Sequence, residues 1–136
     1  MQINEITSKV INAAIAVHRE LGPGLLESAY ETCLTYLLRS QNLKVEEQVA
    51  LPIRFQGINL DAGYRLDMLI EDQVIVEIKA VEKLNPIFAV QLLSYLRLSS
   101  LEIGLLINFH EMRLKDGIKR IANRYQGPLP STNSAG

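Results

Sequence analysis

The sequence predicts an α/β domain in which a central mixed β-sheet is flanked by helices. Three observations carry that expectation. Two amphipathic helical segments open the chain, two apolar strand segments form a hairpin near its middle, and a strand, a helix and a second strand then follow in the order that a parallel crossover requires.

Ile6, Val10, Ala13, Val17 and Leu21 recur at intervals of three and four, which marks a helix with one apolar stripe, and Gly22-Pro23-Gly24 ends it. A second helix is expected to follow at once, with Leu26, Tyr30, Leu34, Leu37 and Leu38 on its apolar face. Cys33 is the only cysteine, has no partner for an intramolecular disulfide, and is expected as a small buried hydrophobe in a reducing compartment. Short strands are expected over residues 45–50, 53–55 and 58–60, with Pro52 at an edge or bulge and Gln56-Gly57 as a turn. These strands read as an antiparallel meander leading into the central hairpin.

After the hairpin, Asn85 and Pro86 supply an N-cap and a first-turn proline for a helix reaching about Leu98, and residues 103–108 return as a strand. That helix is apolar almost all round. Gln91, Ser94 and Arg97 run three apart along it, while Gln91 and Tyr95 lie one turn apart and face the same way. Residues 118–124 read as a final strand or a short helix, with the strand favoured. A chain of 136 residues, 48% apolar, suits one core without disulfides, so residues 1–125 are expected as a single domain. Residues 126–136, uncharged and with Gly127, Pro128 and Pro130, are expected as a disordered tail.

The chemistry gathers on the central hairpin, where segments 64–70 and 74–80 flank the polar turn Glu71-Asp72-Gln73. With a three-residue loop, Ile70 pairs with Val74 and the register puts Asp67 opposite Glu77, at about 4.5–5.5 Å between Cβ atoms. Glu77 and Lys79, two apart on a strand, point to one face. Carboxylates that close repel unless a cation lies between them, and hard oxygen ligands suit Mg²⁺ or Mn²⁺. Lys79 beside such an ion is placed to steady an attacking hydroxide or the charge growing on a phosphate oxygen. Spacing alone favours a plainer reading: Asp67, Glu77 and Lys79 as the solvent face of a half-buried hairpin.

Gly24-Leu25-Leu26-Glu27-Ser28-Ala29-Tyr30 lies upstream, Tyr64-Arg65-Leu66-Asp67 and Glu77-Ile78-Lys79 form the middle, and Gln91-Leu92-Leu93-Ser94-Tyr95-Leu96 lies downstream. In this order the chain, over residues 18–124, resembles the GxxExxY family of the PD-(D/E)XK nuclease superfamily. The resemblance implies a restriction-endonuclease-like core. It implies that Asp67 and Glu77 bind the metal and act with Lys79 in catalysis, that the Ile78 carbonyl is a further ligand, and that Glu27 is an outer one. It also implies that Gln91 and Tyr95 position the substrate backbone, with Tyr30 among the residues supporting the site. Read without the resemblance, Glu27 is a first-turn acid that complements the helix dipole and Tyr30 is a core aromatic. The proline that usually precedes the Asp is Leu66 here, a common departure in the superfamily.

The expected function is therefore that of a Mg²⁺- or Mn²⁺-dependent nuclease hydrolysing phosphodiester bonds in DNA. The alternative is a non-catalytic binding or regulatory module that keeps the fold. Charge favours the alternative: 14 Lys and Arg against 15 Asp and Glu leave a net −1, without the basic excess of a protein that grips nucleic acid strongly. Lys115, Lys119, Arg120 and Arg124 are candidates for a local basic strip, or equally for a solvated face of mixed charge. His18 and His110 are too few for a histidine-rich zinc site, and Gly22-Pro23-Gly24 lacks the spacing and lysine of a phosphate cradle. No basic region leads into an apolar core near the N-terminus, and no apolar run approaches about 18 residues, so a cytoplasmic protein without membrane contact is expected. A homo-oligomer is left open.

Overall fold

The computed structural model describes residues 1–124, so the expected tail over 126–136 lies outside the described residues. The first apolar stripe forms helix α1 (Ile3–Leu21), with Ile6, Val10, Ala13, Ala14 and Val17 buried. Gly22, at φ +70°, donates its N–H to the His18 carbonyl at 2.8 Å and turns the chain in a conformation that glycine adopts freely. Helix α2 (Glu27–Ser40) packs against α1. Tyr30 holds the turn between them. Its ring is fully buried and stacked on Phe109 at 4.4 Å, while its hydroxyl donates to the Gly22 carbonyl at 2.6 Å and accepts from the Leu25 N–H at 3.0 Å. Leu26, expected on the apolar face of α2, stands at the helix cap and is 77% exposed, because the buried stripe begins one turn later at Tyr30. Cys33 is half-buried rather than buried.

The strands are β1 (Val45–Ala50), β2 (Ile53–Phe55), β3 (Ile58–Leu60), β4 (Arg65–Ile70) and β5 (Val74–Lys79), then, after helix α3 (Ile87–Ser99), β6 (Ile103–Asn108) and β7 (Ile118–Ala122). The main sheet has the order β1-β4-β5-β6-β7 and is antiparallel except for the β5–β6 pair, which α3 joins as a crossover. Alternate residues of β5 face opposite layers. Val74, Val76 and Ile78 pack with α1 and α2, whereas Ile75 packs with Leu92, Tyr95 and Leu96 of α3. The result is the expected class, a five-stranded mixed sheet flanked by helices in a restriction-endonuclease-like arrangement. Among the described residues no helix is long and apolar enough to cross a membrane.

Two further expectations are corrected. The meander is broken: β2 and β3 pair only with each other, and β1 pairs directly with β4. The pair of three-residue strands is thus a flap, closed at its base where the Leu51 N–H donates to the Tyr64 carbonyl at 2.9 Å, next to Pro52, which has no N–H to continue the ladder. The basic strip is divided as well. Lys119 and Arg120 are neighbours on β7 and face opposite sides, and the Arg120 guanidinium donates to Asn4 Oδ1 at 2.7 Å and Thr7 Oγ1 at 3.1 Å, holding the start of α1 to the sheet.

Because the Tyr30 hydroxyl meets two backbone groups that the turn leaves otherwise unpaired, Tyr30→Phe is expected to lower stability by about 1–3 kcal/mol. Urea denaturation followed by far-UV circular dichroism measures this, and an unchanged midpoint would remove Tyr30 from the turn's support.

Candidate active site

The hairpin has the expected register, with Ile70 paired to Val74 and Met68 to Val76. Beyond Met68 the backbone ladder stops and side chains replace it. The Asp67 N–H donates to Glu77 Oε2 at 2.8 Å, and the Ile78 N–H donates to Asp67 Oδ2 at 2.8 Å. Each carboxylate therefore occupies the place of a ladder acceptor on the facing strand.

On the other side of Asp67 stands Gln48, between the Glu47–Met68 and Val49–Leu66 pairs, at φ +51°. A non-glycine residue in that region inside a strand is unusual. It has a visible consequence for packing. Val45 and Met68 pack beneath α1 and α2, but Val49 and Leu66, of the same parity on their strands, pack in the layer beneath α3. Both strands change faces at Gln48 and Asp67, so Asp67 sits at a dislocation of the sheet rather than on a regular face.

Burial governs the electrostatics. Glu77 is 5% exposed, and its carboxyl is pushed up to about 8 by that burial and then by the charge of Asp67, against the pull of the Asp67 amide and of Lys79. Glu31, on α2, rises to about 7 through its own burial, a hydrogen bond shared with Glu47 and the charges of Asp67 and Glu47. Gln48 Nε2 donates to Glu31 Oε1 at 3.0 Å and opposes that rise. The Tyr95 phenol holds its proton more firmly than usual, through burial first and then the charges of Glu77, Tyr64 and Asp67.

Lys79 Nζ lies 4.6 Å from the centroid of the Phe88 ring, a cation–π contact that directs the amine toward the start of α3. Asn85 sets that start, its Oδ1 accepting the Ile87 N–H at 3.0 Å. The backbone on either side of Lys79 is held too. The Phe109 N–H donates to the Lys79 carbonyl at 2.8 Å, and the fully buried Asn108 side chain accepts the Val81 N–H at 3.1 Å and donates to the Val81 carbonyl at 2.9 Å. Asp67, Glu77, Lys79 and Tyr95 thus share one neighbourhood. Glu27 is exposed and accepts the Ala80 N–H at 3.2 Å, one residue past Lys79. Ile78 buries its side chain in the core, Gln91 is half-buried one turn before Tyr95, and Tyr30 supports the α1–α2 turn.

Glu31, Glu47, Gln48, Phe88 and Asn108 were not singled out as site residues by the sequence. Only Phe88 had a usable signal there, since a helix starting at Asn85-Pro86 returns its first turn to the end of the preceding strand. Among the described residues no three His, Cys, Asp or Glu side chains are grouped to hold a metal ion. A family model described as PD-(D/E)XK nuclease superfamily matches residues 4–121. No curated protein and no solved structure matches the chain.

Glu77 binds a proton more tightly in the folded chain than at its ordinary 4.5, so between about 4.5 and 8 the folded state holds a proton that the unfolded state has lost. That contribution is complete below about 4.5 and gone above about 8, so stability falls as pH rises through the window. In EDTA, the melting temperature of the wild type is expected to drop more steeply over this range than that of Glu77→Gln. Parallel profiles would show that Glu77 titrates normally.

Proposed function

Because the chain belongs to the PD-(D/E)XK nuclease superfamily, we propose that it hydrolyses phosphodiester bonds in DNA with Mg²⁺ or Mn²⁺ held by Asp67 and Glu77. The observation that carries this reading is the reciprocal placement of the two carboxylates with Lys79 two residues on: each acid gives one oxygen to an amide and keeps the other for a cation. The residues fit such an ion. Mg²⁺ is ordinarily held by one or two carboxylates and completed by waters and substrate phosphate, so a two-acid site needs no third carboxylate. The pressure that lifts Glu77 is also of the kind that a cation between the acids would relieve. When bound, the ion supplies Lewis acidity toward phosphate and a more acidic water.

The chain's own residues do the rest. Lys79 presents positive charge where the transition state becomes more negative, and Phe88 keeps the amine from wandering into solvent. Tyr95 retains its proton and so offers a hydrogen bond to a phosphate oxygen, with Gln91 one turn away to position the backbone. Glu27, at Ala80, is an outer ligand or water holder. The spacing Gly24, Glu27, Tyr30 supports placing the chain in the GxxExxY branch.

Mn²⁺ is expected to raise the melting temperature of the wild type and of Lys79→Ala but not of Asp67→Ala. Lys79→Ala should lose cleavage by about two orders of magnitude or more, and Phe88→Leu should lose about two- to thirtyfold. A screen of single-stranded, double-stranded and branched DNA, and of RNA, tests the reading. A wild type that binds Mn²⁺ but cuts none of them is a binding module that keeps the fold.

A further inference from the structure

The two walls of the site differ in chemistry. On the α2 and β1 side stand Glu27, Glu31 and Glu47, which repel a phosphate backbone. On the opposite side stand Lys79 over Phe88 and the pair Tyr64–Tyr95, whose rings are 6.2 Å apart and tilted by 59°. Tyr64 is 43% exposed and lies three residues before Asp67. Its partner Tyr95 is within electrostatic reach of both site carboxylates. Tyr64 is therefore an open aromatic surface continuous with the catalytic centre.

The flap springs from the same place, since the Leu51 N–H donates to the Tyr64 carbonyl at its base. Its register pairs Ile53 with Leu60 and Phe55 with Ile58, which puts four apolar side chains on one face and Arg54 and Asn59 on the other. Phe55 is 61% exposed, Ile58 59% and Leu60 45%. A second copy of the chain is a poor occupant, because a stable dimer buries about 800 Å² per partner and a face of four side chains offers only part of that. Duplex DNA is poor as well. It shows its phosphates and hides its base faces, and a chain of net charge −1 has no basic excess to hold it. Unpaired bases, by contrast, stack on exposed aromatic rings whatever their sequence.

Resting on the nuclease reading of this site, we propose that the substrate is an unpaired DNA strand, received on the Tyr64 and flap side with a base stacked on Tyr64 and the strand continuing over Phe55. Selectivity for single strands then comes from stacking rather than from basic charge.

The test measures binding apart from cleavage: fluorescence anisotropy with a labelled single-stranded 20-mer and its duplex in EDTA at low salt, then cleavage of both with Mn²⁺. The wild type should bind the single strand more tightly than the duplex. Tyr64→Ala should weaken single-strand binding about 5- to 150-fold, the range that loss of one stacked base carries, and Tyr64→Phe should stay within about twofold of the wild type. Phe55→Ala, confined to the exposed flap, should also weaken it and guards against a Tyr64 variant that fails to fold. Equal binding of strand and duplex, or binding unmoved by both alanine variants, overturns the inference even if cleavage is seen. Selective binding lost in Tyr64→Ala without any cleavage supports the stacking surface and removes the nuclease reading instead. A concentration-dependent dimer that Phe55→Ala abolishes assigns the flap to self-association and overturns its part in strand binding.

Discussion

Two carboxylates stand where the central hairpin would otherwise join its strands by backbone hydrogen bonds, and much of the molecule is arranged around that substitution. A buried amide must find an acceptor. At the Asp67 and Ile78 amides that acceptor is an acid side chain from the facing strand. The strands stay registered, but the sheet now carries acidic groups near its centre, and taking charge out of water is unfavourable unless it is neutralised or paired. The chain answers with protons. Glu77 is lifted to about 8 and Glu31 to about 7, so the site without an ion holds less negative charge than its acids suggest. Under the proposed function, an ion between the acids would do the same work as those protons, and the two would compete.

The same substitution explains why some of the fold was legible in the sequence and some was not. The register was legible, because Ile70 and Val74 flank a three-residue polar turn and strand pairing then leaves no freedom from that pair to Met68 and Val76. The parallel return of β6 was legible too, since Asn85-Pro86 announces a helix between two apolar strands. The dislocation was not. Alternation along β4 puts Leu66 with Met68, yet the two side chains pack in different layers, and the cause lies in a different strand at Gln48. Glutamine carries no signal for positive φ, so nothing at that position announces it.

Residues brought in by tertiary packing were hidden for another reason. Glu31 and Glu47 are an ordinary helix acid and an ordinary strand acid, and only the approach of α2 to β1 lets Glu47 help to raise Glu31. Arg120 looked like part of a surface strip, whereas its neighbours in space are Asn4 and Thr7, more than a hundred positions earlier. Spacing along the chain describes what one element presents. It does not describe what a second element brings to meet it.

The low net charge takes on a different meaning once the site has two unlike walls. A protein that holds nucleic acid through many phosphates needs a basic surface, but a nuclease site needs positive charge at one phosphate only, and under the proposed function an ion together with Lys79 would supply it there. Under the proposed reaction, acids on the α2 side then help by excluding the backbone from that wall, which leaves the aromatic and lysine-bearing wall as the entry. Holding Lys79 through Phe88, the Phe109 amide and Asn108 makes sense on the same terms, since a single cation is effective only where its position is set. Charge balance over the whole chain and charge placement at the site are separate quantities, and the fold controls the second by means of two strands that exchange side chains for backbone.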